Sequence, residues 1–213
     1  MTHTARLGYE VGKRVCDVCV AGIGVVLLSP LLTAIAVLVG LDSPGPVLYK
    51  GRRTGMHGVP FNILKFRTMC VDAERTGTTT AKNDPRVTRV GRFLRRWKLD
   101  ELPQLLNVLR GEMSLVGPRP EVEEHTNAYD EQELAILTVR PGITDYSSVH
   151  FVDLAGALGD ENPHHVYLTR VRAQKNALRL EYVRRRSFIE DLRIIGLTAS
   201  ALLKTMAARK PKG

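Results

Sequence analysis

From Val18 to Leu41 the chain runs 24 residues, "VCVAGIGVVLLSPLLTAIAVLVGL", without a charged side chain. Such a run must be buried in lipid or in the core of the fold, and about 20 apolar residues suffice to cross a bilayer. It is too long for the apolar region of a cleavable signal, and no small-residue cleavage site leads into a secreted-type sequence. Ser29-Pro30 stands at its centre. Proline lacks the N–H that a helix interior needs, so a kink or break is expected there. Each half then has 11 residues, Val18–Leu28 and Leu31–Leu41, or about 16 Å of helix, half the hydrocarbon thickness. Lys13 and Arg14 precede the run and Lys50, Arg52 and Arg53 follow it. Cations at both ends draw both ends to the cytoplasm. A helix–break–helix that enters and leaves by one face satisfies both observations, with the Ser29 hydroxyl taking a carbonyl freed by Pro30. A kinked single span and a buried core helix are the alternatives.

Lys and Arg outnumber Asp and Glu by 31 to 22, a net charge of +9. The excess implies anionic partners: nucleic acid, an acidic membrane surface or phosphorylated substrates. Three cysteines, Cys16, Cys19 and Cys70, form neither a disulfide framework nor a zinc site, since no second pair or histidine cluster accompanies Cys16-Asp17-Val18-Cys19.

Beyond the apolar run, Val47–Lys50 and Phe61–Thr68 read as the strands of a hairpin with a long, Gly-rich connection. Alternation puts Lys65 and Arg67 on one face of the second strand. They are either a solvated edge or two cations aimed at a phosphate. Residues 76–84, "TGTTTAKND", form a polar loop. "PRVTRVGRFLRRWK" then carries six cations, among them Arg95, directly ahead of Asp100-Glu101.

Leu102, Leu105, Leu106 and Leu109 recur at helical spacing, with Arg110 in the last turn and Gly111 as the stop. On this helix Asp100, Gln104 and Asn107 project opposite the leucines, and Glu101 lies at the edge of the stripe. Consecutive acids do not face each other, so Asp100 and Glu101 require separate roles rather than a shared proton. Acids before Pro103 suit a helix start, where they cap and stay ionised. An ionised carboxylate can also hold a metal or attack an electrophile. In Gly117-Pro118-Arg119-Pro120 two prolines restrain one arginine, whose planar fork matches phosphate oxygens; a Pro-rich turn with an exposed arginine is the alternative. Arg140-Pro141-Gly142 repeats the theme after an expected helix over Glu121–Val139. From Leu168 to Arg186 seven cations face one acid, Glu181. Phe188, Leu192, Ile195, Ala199, Leu202 and Met206 follow at helical period. Both stretches are expected to be amphipathic helices on a membrane surface, with core packing as the alternative.

These pieces, in this order, closely resemble the bacterial sugar transferase family, the monotopic polyprenyl-phosphate phosphoglycosyl transferases. The resemblance rests on "KRVCDVCVAGIGVVLLSPLL", "LDSPGPVLYKGRR", "FNILKFRTM", "NDPRVTRVGRFLRRWKLDELPQLLNVLRGEMSLVGPRP" and "VRPGIT", which cover most of residues 13–145. It implies a minimal catalytic unit of α+β, mainly α, class: a re-entrant membrane segment over residues 1–43, then a cytoplasmic catalytic domain over 44–213 with a small β-hairpin and surface amphipathic helices. The implied reaction moves a sugar-1-phosphate from a nucleotide sugar, UDP-linked, to polyprenyl phosphate and releases the nucleoside monophosphate. By the same resemblance Asp100 is the nucleophile and a ligand of Mg²⁺, Glu101 its partner acid, and Ser29-Pro30 the membrane break. Arg119, Lys65, Arg67, Arg95 and Arg140 are the expected phosphate and substrate contacts, Arg95 near lipid headgroups. The expected site of action is the cytoplasmic face of the bacterial inner membrane, among its lipids; the oligomeric state, a dimer included, stays open. After "PGIT" the chain reads "DYSSVHFVDLAGALGD", without the arginine that many members carry there, so no nucleotide contact is assigned beyond Thr144.

The competing classes are a basic nucleic-acid-binding protein and a membrane-associated adaptor without catalysis. The first lacks a recognition signature and leaves the apolar run unexplained, so no nucleic-acid partner is expected. The second is separated from an enzyme only by activity.

Overall fold

The computed structural model describes residues 3–71, 73, 84–152, 154 and 163–208. Residues 76–83 of the expected polar loop, and most of residues 152–162, lie outside that set. The chain opens with α1, His3–Asp42, a single helical segment that continues through Pro30. The expected break is therefore a proline inside a helix rather than an interruption. Pro30 cannot donate to the carbonyl of Val26; the Ser29 hydroxyl donates to it instead, at 2.8 Å. Thr33 adds a bond to the Ser29 carbonyl at 2.9 Å. Local side-chain donors thus replace the lost rung of the ladder.

Both ends of α1 dock on the rest of the protein. At the first end, Lys13 pairs with Asp191 at 2.7 Å, Arg14 donates to the Val108 carbonyl at 2.7 Å, and Asp17 accepts from the Leu115 N–H at 3.2 Å. Ala21 then packs with Ile63, Val108 and Met113. At the other end Ile35 and Val39 pack with Phe66 and Leu94, and Asp42 accepts from the Val90 N–H. Between the two contacts Val26 and Leu27 are 71% and 72% exposed.

β1 (Leu48–Thr54) and β2 (Pro60–Phe66) form the expected antiparallel hairpin, Tyr49 opposite Lys65. The strands reach further than their apolar runs, so the connection is short and turns at His57 and Gly58, both at positive φ. α2 (Arg89–Trp97) is capped by the Thr88 hydroxyl and ends at Lys98 in the left-handed region. A 3₁₀ turn, Leu99–Glu101, leads into α3 (Gln104–Arg110), closed by Gly111 at φ 84°. β3 (Ser114–Val116) pairs in parallel with β4 (Gly142–Thr144). That pairing seats Gly117 against the Arg140-Pro141-Gly142 segment: a Cβ on Gly117 would lie 2.4 Å from the Arg140 carbonyl oxygen.

The helix expected over Glu121–Val139 is only α4 (Glu123–Thr126) and a 3₁₀ segment, Glu133–Thr138. α5 (Tyr146–His150) is capped by Asp145. α6 (Pro163–Val166) runs through a π-helical turn, Tyr167–Val171, into α7 (Arg172–Arg185), and α8 (Phe188–Ala208) follows. α7 corrects the expectation of a surface helix. It buries Lys175, Asn176, Arg179 and Tyr182, because carboxylates inside the protein await its cations. α8 buries Glu190, Asp191 and Ile194 but leaves Phe188, Ile189 and Leu192 exposed, as an apolar outer face requires.

Candidate active site

The leucines at Leu102, Leu105, Leu106 and Leu109 are only half-buried. Leu105 and Leu109 pack beside Ala21 of α1, Leu102 packs toward Leu94, and the polar face of the same helix is the buried one. Asp100, Gln104 and Asn107 are each at most 7% exposed. The helical projection therefore sorted the residues correctly, but the apolar stripe serves α1 and the polar face lines the site.

Glu101 is the hub. Its carboxylate accepts from Lys65 Nζ of β2 at 3.0 Å and from Arg119 Nη1 at 3.1 Å, with a second short contact to Arg119 Nη2. Burial works against its charge, but Arg119 and Lys65 outweigh it and hold the carboxyl well below the usual carboxylate range. Asp100 is in the opposite situation. Burial, with Glu101 adding to it, pushes its carboxyl up, and Lys65, Lys98 and Arg95 only partly oppose this. Its Oδ1 is enclosed without a hydrogen-bond partner, and Oδ2 is the oxygen left open. Two neighbouring acids thus reach opposite states: one neutralised by two cations, one buried and unpaired.

Arg119 is fixed at both ends. Its guanidinium also donates to the Ile143 carbonyl at 3.1 Å, and its backbone N–H donates to Asp145 Oδ2 at 3.1 Å. Asp145, fully buried, further accepts from the Ser147 and Ser148 hydroxyls and the Ser148 N–H. Behind it Arg179, also fully buried, lies 4.0 Å from Asp145 and bonds Glu121 at 2.5 Å. Glu121 additionally receives Tyr167 at 2.8 Å and Lys175 at 3.3 Å. Despite burial, Arg179 and Lys175 hold the Glu121 carboxyl well below its usual range.

The expected contacts divide. Lys65 and Arg119 meet at Glu101. Arg95 donates to the Thr68 hydroxyl at 2.8 Å and its charge acts on Asp100. Arg67, just beyond β2, donates instead to the carbonyl and hydroxyl of Ser43 and to the Val39 carbonyl, where a cation suits the C-terminal end of α1. Arg140 donates to the Gly111 carbonyl at 3.1 Å. Neither of these two arginines bonds either acid. Sequence reasoning passed over Asp145, Glu121, Lys175 and Arg179. A signal existed for the first: Asp145 two and three residues before serines is a capping pattern. None existed for Arg179, one cation among seven.

For a cation the donor set is small. Among the described residues no cluster of three or more His, Cys, Asp or Glu side chains is present. Glu101 is occupied by Lys65 and Arg119, so Asp100 supplies the open carboxylate oxygen. One carboxylate completed by substrate phosphate oxygens is a normal site for Mg²⁺, so the residues present fit it.

A restrained arginine, an acid paired with two cations and a buried carboxylate with an unpartnered oxygen thus meet beside a helix docked against the apolar segment. The bacterial sugar transferase family model matches residues 8–205, and the chain belongs to that family. It is 40% identical over 204 residues to the UDP-glucose:undecaprenyl-phosphate glucose-1-phosphate transferase of Caulobacter vibrioides, covering 94% of this chain and 73% of that protein. It is 41% identical over 190 residues to the protein of the same name in Escherichia coli, covering 87% of this chain but 39% of that longer protein. The exopolysaccharide production protein ExoY of Rhizobium meliloti is 38% identical over 206 residues, covering 89% of this chain and 84% of its own.

Proposed function

We propose that the chain is a phosphoglycosyl transferase that moves a sugar-1-phosphate from a UDP-sugar to undecaprenyl phosphate and releases UMP, the first membrane step of polysaccharide or glycoconjugate synthesis. The observation that carries this reading is the division of labour at Asp100-Glu101. Glu101 fixes Lys65 and Arg119 in place, and these cations face the incoming diphosphate. Asp100 keeps one open oxygen for attack. Covalent, two-step transfer follows: Asp100 takes the sugar phosphate as an acyl phosphate, UMP departs, and the lipid phosphate then displaces Asp100. The cations offset the repulsion between carboxylate and diphosphate. Asp100 would hold Mg²⁺, which would supply further neutralisation of phosphate charge.

In this reading residues 1–43 form the membrane segment, residues 44–213 the catalytic unit, and the enzyme sits on the cytoplasmic face of the inner membrane. Support for entry and exit by one face comes from the two docking contacts of α1. Asp17 and Asp42 both bond N–H groups of the rest of the protein, and the exposed apolar side chains along α1, Val26 and Leu27 between those contacts among them, are left to lipid. The exposed apolar face of α8 adds a surface contact.

The test is release of UMP from a panel of UDP-sugars with undecaprenyl phosphate. Wild type releases UMP with at least one donor and Asp100→Asn with none, at unchanged fold by circular dichroism; full activity in Asp100→Asn removes it as the nucleophile. Topology is read by labelling Gly8→Cys and Val59→Cys, each in a cysteine-free background, in intact cells. Equal protection of both sites fits a re-entrant segment, and labelling of only one shows a span.

A further inference from the structure

Three polar side chains share the inward face of α3 and the turn before it, and they are not treated alike. Asn107 is fully engaged: its oxygen accepts from the Leu64 N–H at 2.9 Å, and its nitrogen donates to the Asn62 carbonyl at 2.8 Å and to Glu112 at 2.7 Å. Gln104, one turn earlier, is 0% exposed, yet neither its Nε2 nor its Oε1 has a partner. Four residues before it, Asp100 Oδ1 is also enclosed and unpartnered. Burying an amide with neither atom bonded is costly, and folded proteins seldom do so without a use for it. A position that served packing alone would hold methionine or leucine.

We infer that Gln104 is a positioning residue for the covalent step, its Nε2–H donating to Asp100 Oδ1 in the reacting state; this rests on the phosphoglycosyl transfer reading above. In that step Oδ2 forms a bond to the sugar-bearing phosphorus. The bond from that phosphorus to the UMP oxygen breaks, and its electron pair leaves with UMP. Oδ1 becomes the carbonyl oxygen of the acyl phosphate. On return, a polyprenyl phosphate oxygen bonds the phosphorus and the electron pair goes back to Asp100, spread over both carboxylate oxygens. Oδ1 is a hydrogen-bond acceptor throughout and is shut off from water. No neighbouring cation bonds Oδ1: Lys65 and Arg119 bond Glu101, Arg95 bonds Thr68 through Nε, and Lys98 makes no bond to it. The Gln104 amide is the uncommitted donor on the same face, and a turn about its own side-chain torsions aims it. Holding Oδ1 fixes which oxygen attacks and at what angle.

Gln104→Met separates this from packing, because methionine keeps the volume and removes the orphaned polar atoms. Melting in detergent is expected to rise by about 2–10 °C. UMP turnover is expected to fall roughly ten- to a hundredfold through kcat, with KM for the UDP-sugar unchanged, since Oδ1 does not touch substrate. The single-turnover burst of UMP without lipid acceptor slows by the same factor. Unchanged kcat overturns the inference. So does a fall in melting temperature, or failure of both Gln104→Met and Gln104→Leu to fold, because either shows that the amide is already bonded within the protein. If wild type itself releases no UMP from any UDP-sugar, the transferase reading has failed and this inference falls with it.

Discussion

Arg179→Met is the most searching perturbation of the scaffold behind Arg119. Arg179 is completely buried and bonds Glu121 at 2.5 Å and Asn176 at 2.8 Å, with Asp145 at 4.0 Å. Removing one partner of a buried ion pair costs about 3–5 kcal/mol. Here the loss falls at the low end, because Glu121 keeps Tyr167 and Lys175 and Asp145 keeps the Arg119 N–H and two serines. About 3 kcal/mol in a chain of 213 residues lowers the melting temperature by about 6–12 °C. The assay is thermal unfolding in detergent of wild type, Arg179→Met, Glu121→Gln and the double variant. The double variant is expected to be more stable than the two single losses added together, by about 1–3 kcal/mol, since neither charge is then left alone. A fall below about 3 °C for Arg179→Met, or strict additivity, refutes the reasoning.

Glu121 also sets an acid limit. Its folded pKa lies well below the unfolded value of about 4.3, so its stabilisation is complete above that value and is lost as pH falls through the lowered one. Unfolding from about pH 6 to about pH 3 is expected to show a steeper acid decline in wild type than in Glu121→Gln; equal slopes count against the pairing. Asp100→Asn, which replaces a carboxylate whose Oδ1 is enclosed and unpartnered, is expected to raise the melting temperature by about 2–8 °C, and a decrease counts against a buried, unpaired acid. Gly117→Ala puts a Cβ 2.4 Å from the Arg140 oxygen and 3.0 Å from the Gly142 nitrogen, both backbone atoms. It is expected to cost about 1–3 kcal/mol or more and to displace Arg119, lowering both stability and UMP release; retention of both would show that the close approach is dispensable.

Much of the local structure was legible because it depends on short-range chemistry. The hairpin followed from apolar alternation, the end of α3 from Gly111, and the Ser29 bond to the carbonyl freed by Pro30 from backbone accounting alone. The separate surroundings of Asp100 and Glu101 followed from helical geometry, since neighbours in sequence diverge. Three readings stopped short or failed for want of a third dimension. Leucine spacing identified a stripe on α3 but not that α1 would cover it while the polar face lined the site. Seven cations near α7 read as a surface because the carboxylates that bury Lys175 and Arg179 lie at Glu121 and Asp145, thirty or more residues away in sequence. Arg67 alternated with Lys65 onto one face, yet beyond the end of β2 it turned to the carbonyls of α1.

The sequence by itself determined the apolar segment, the acid pair and the family, because composition, spacing and motif order are properties of the chain. Only the tertiary structure decided which cations meet Glu101 and that Asp100 keeps an unpaired oxygen. It also set the line from Arg119 through Asp145 to Arg179. Those are outcomes of burial and long-range pairing, and a charge's surroundings, not its neighbours in sequence, fix its state.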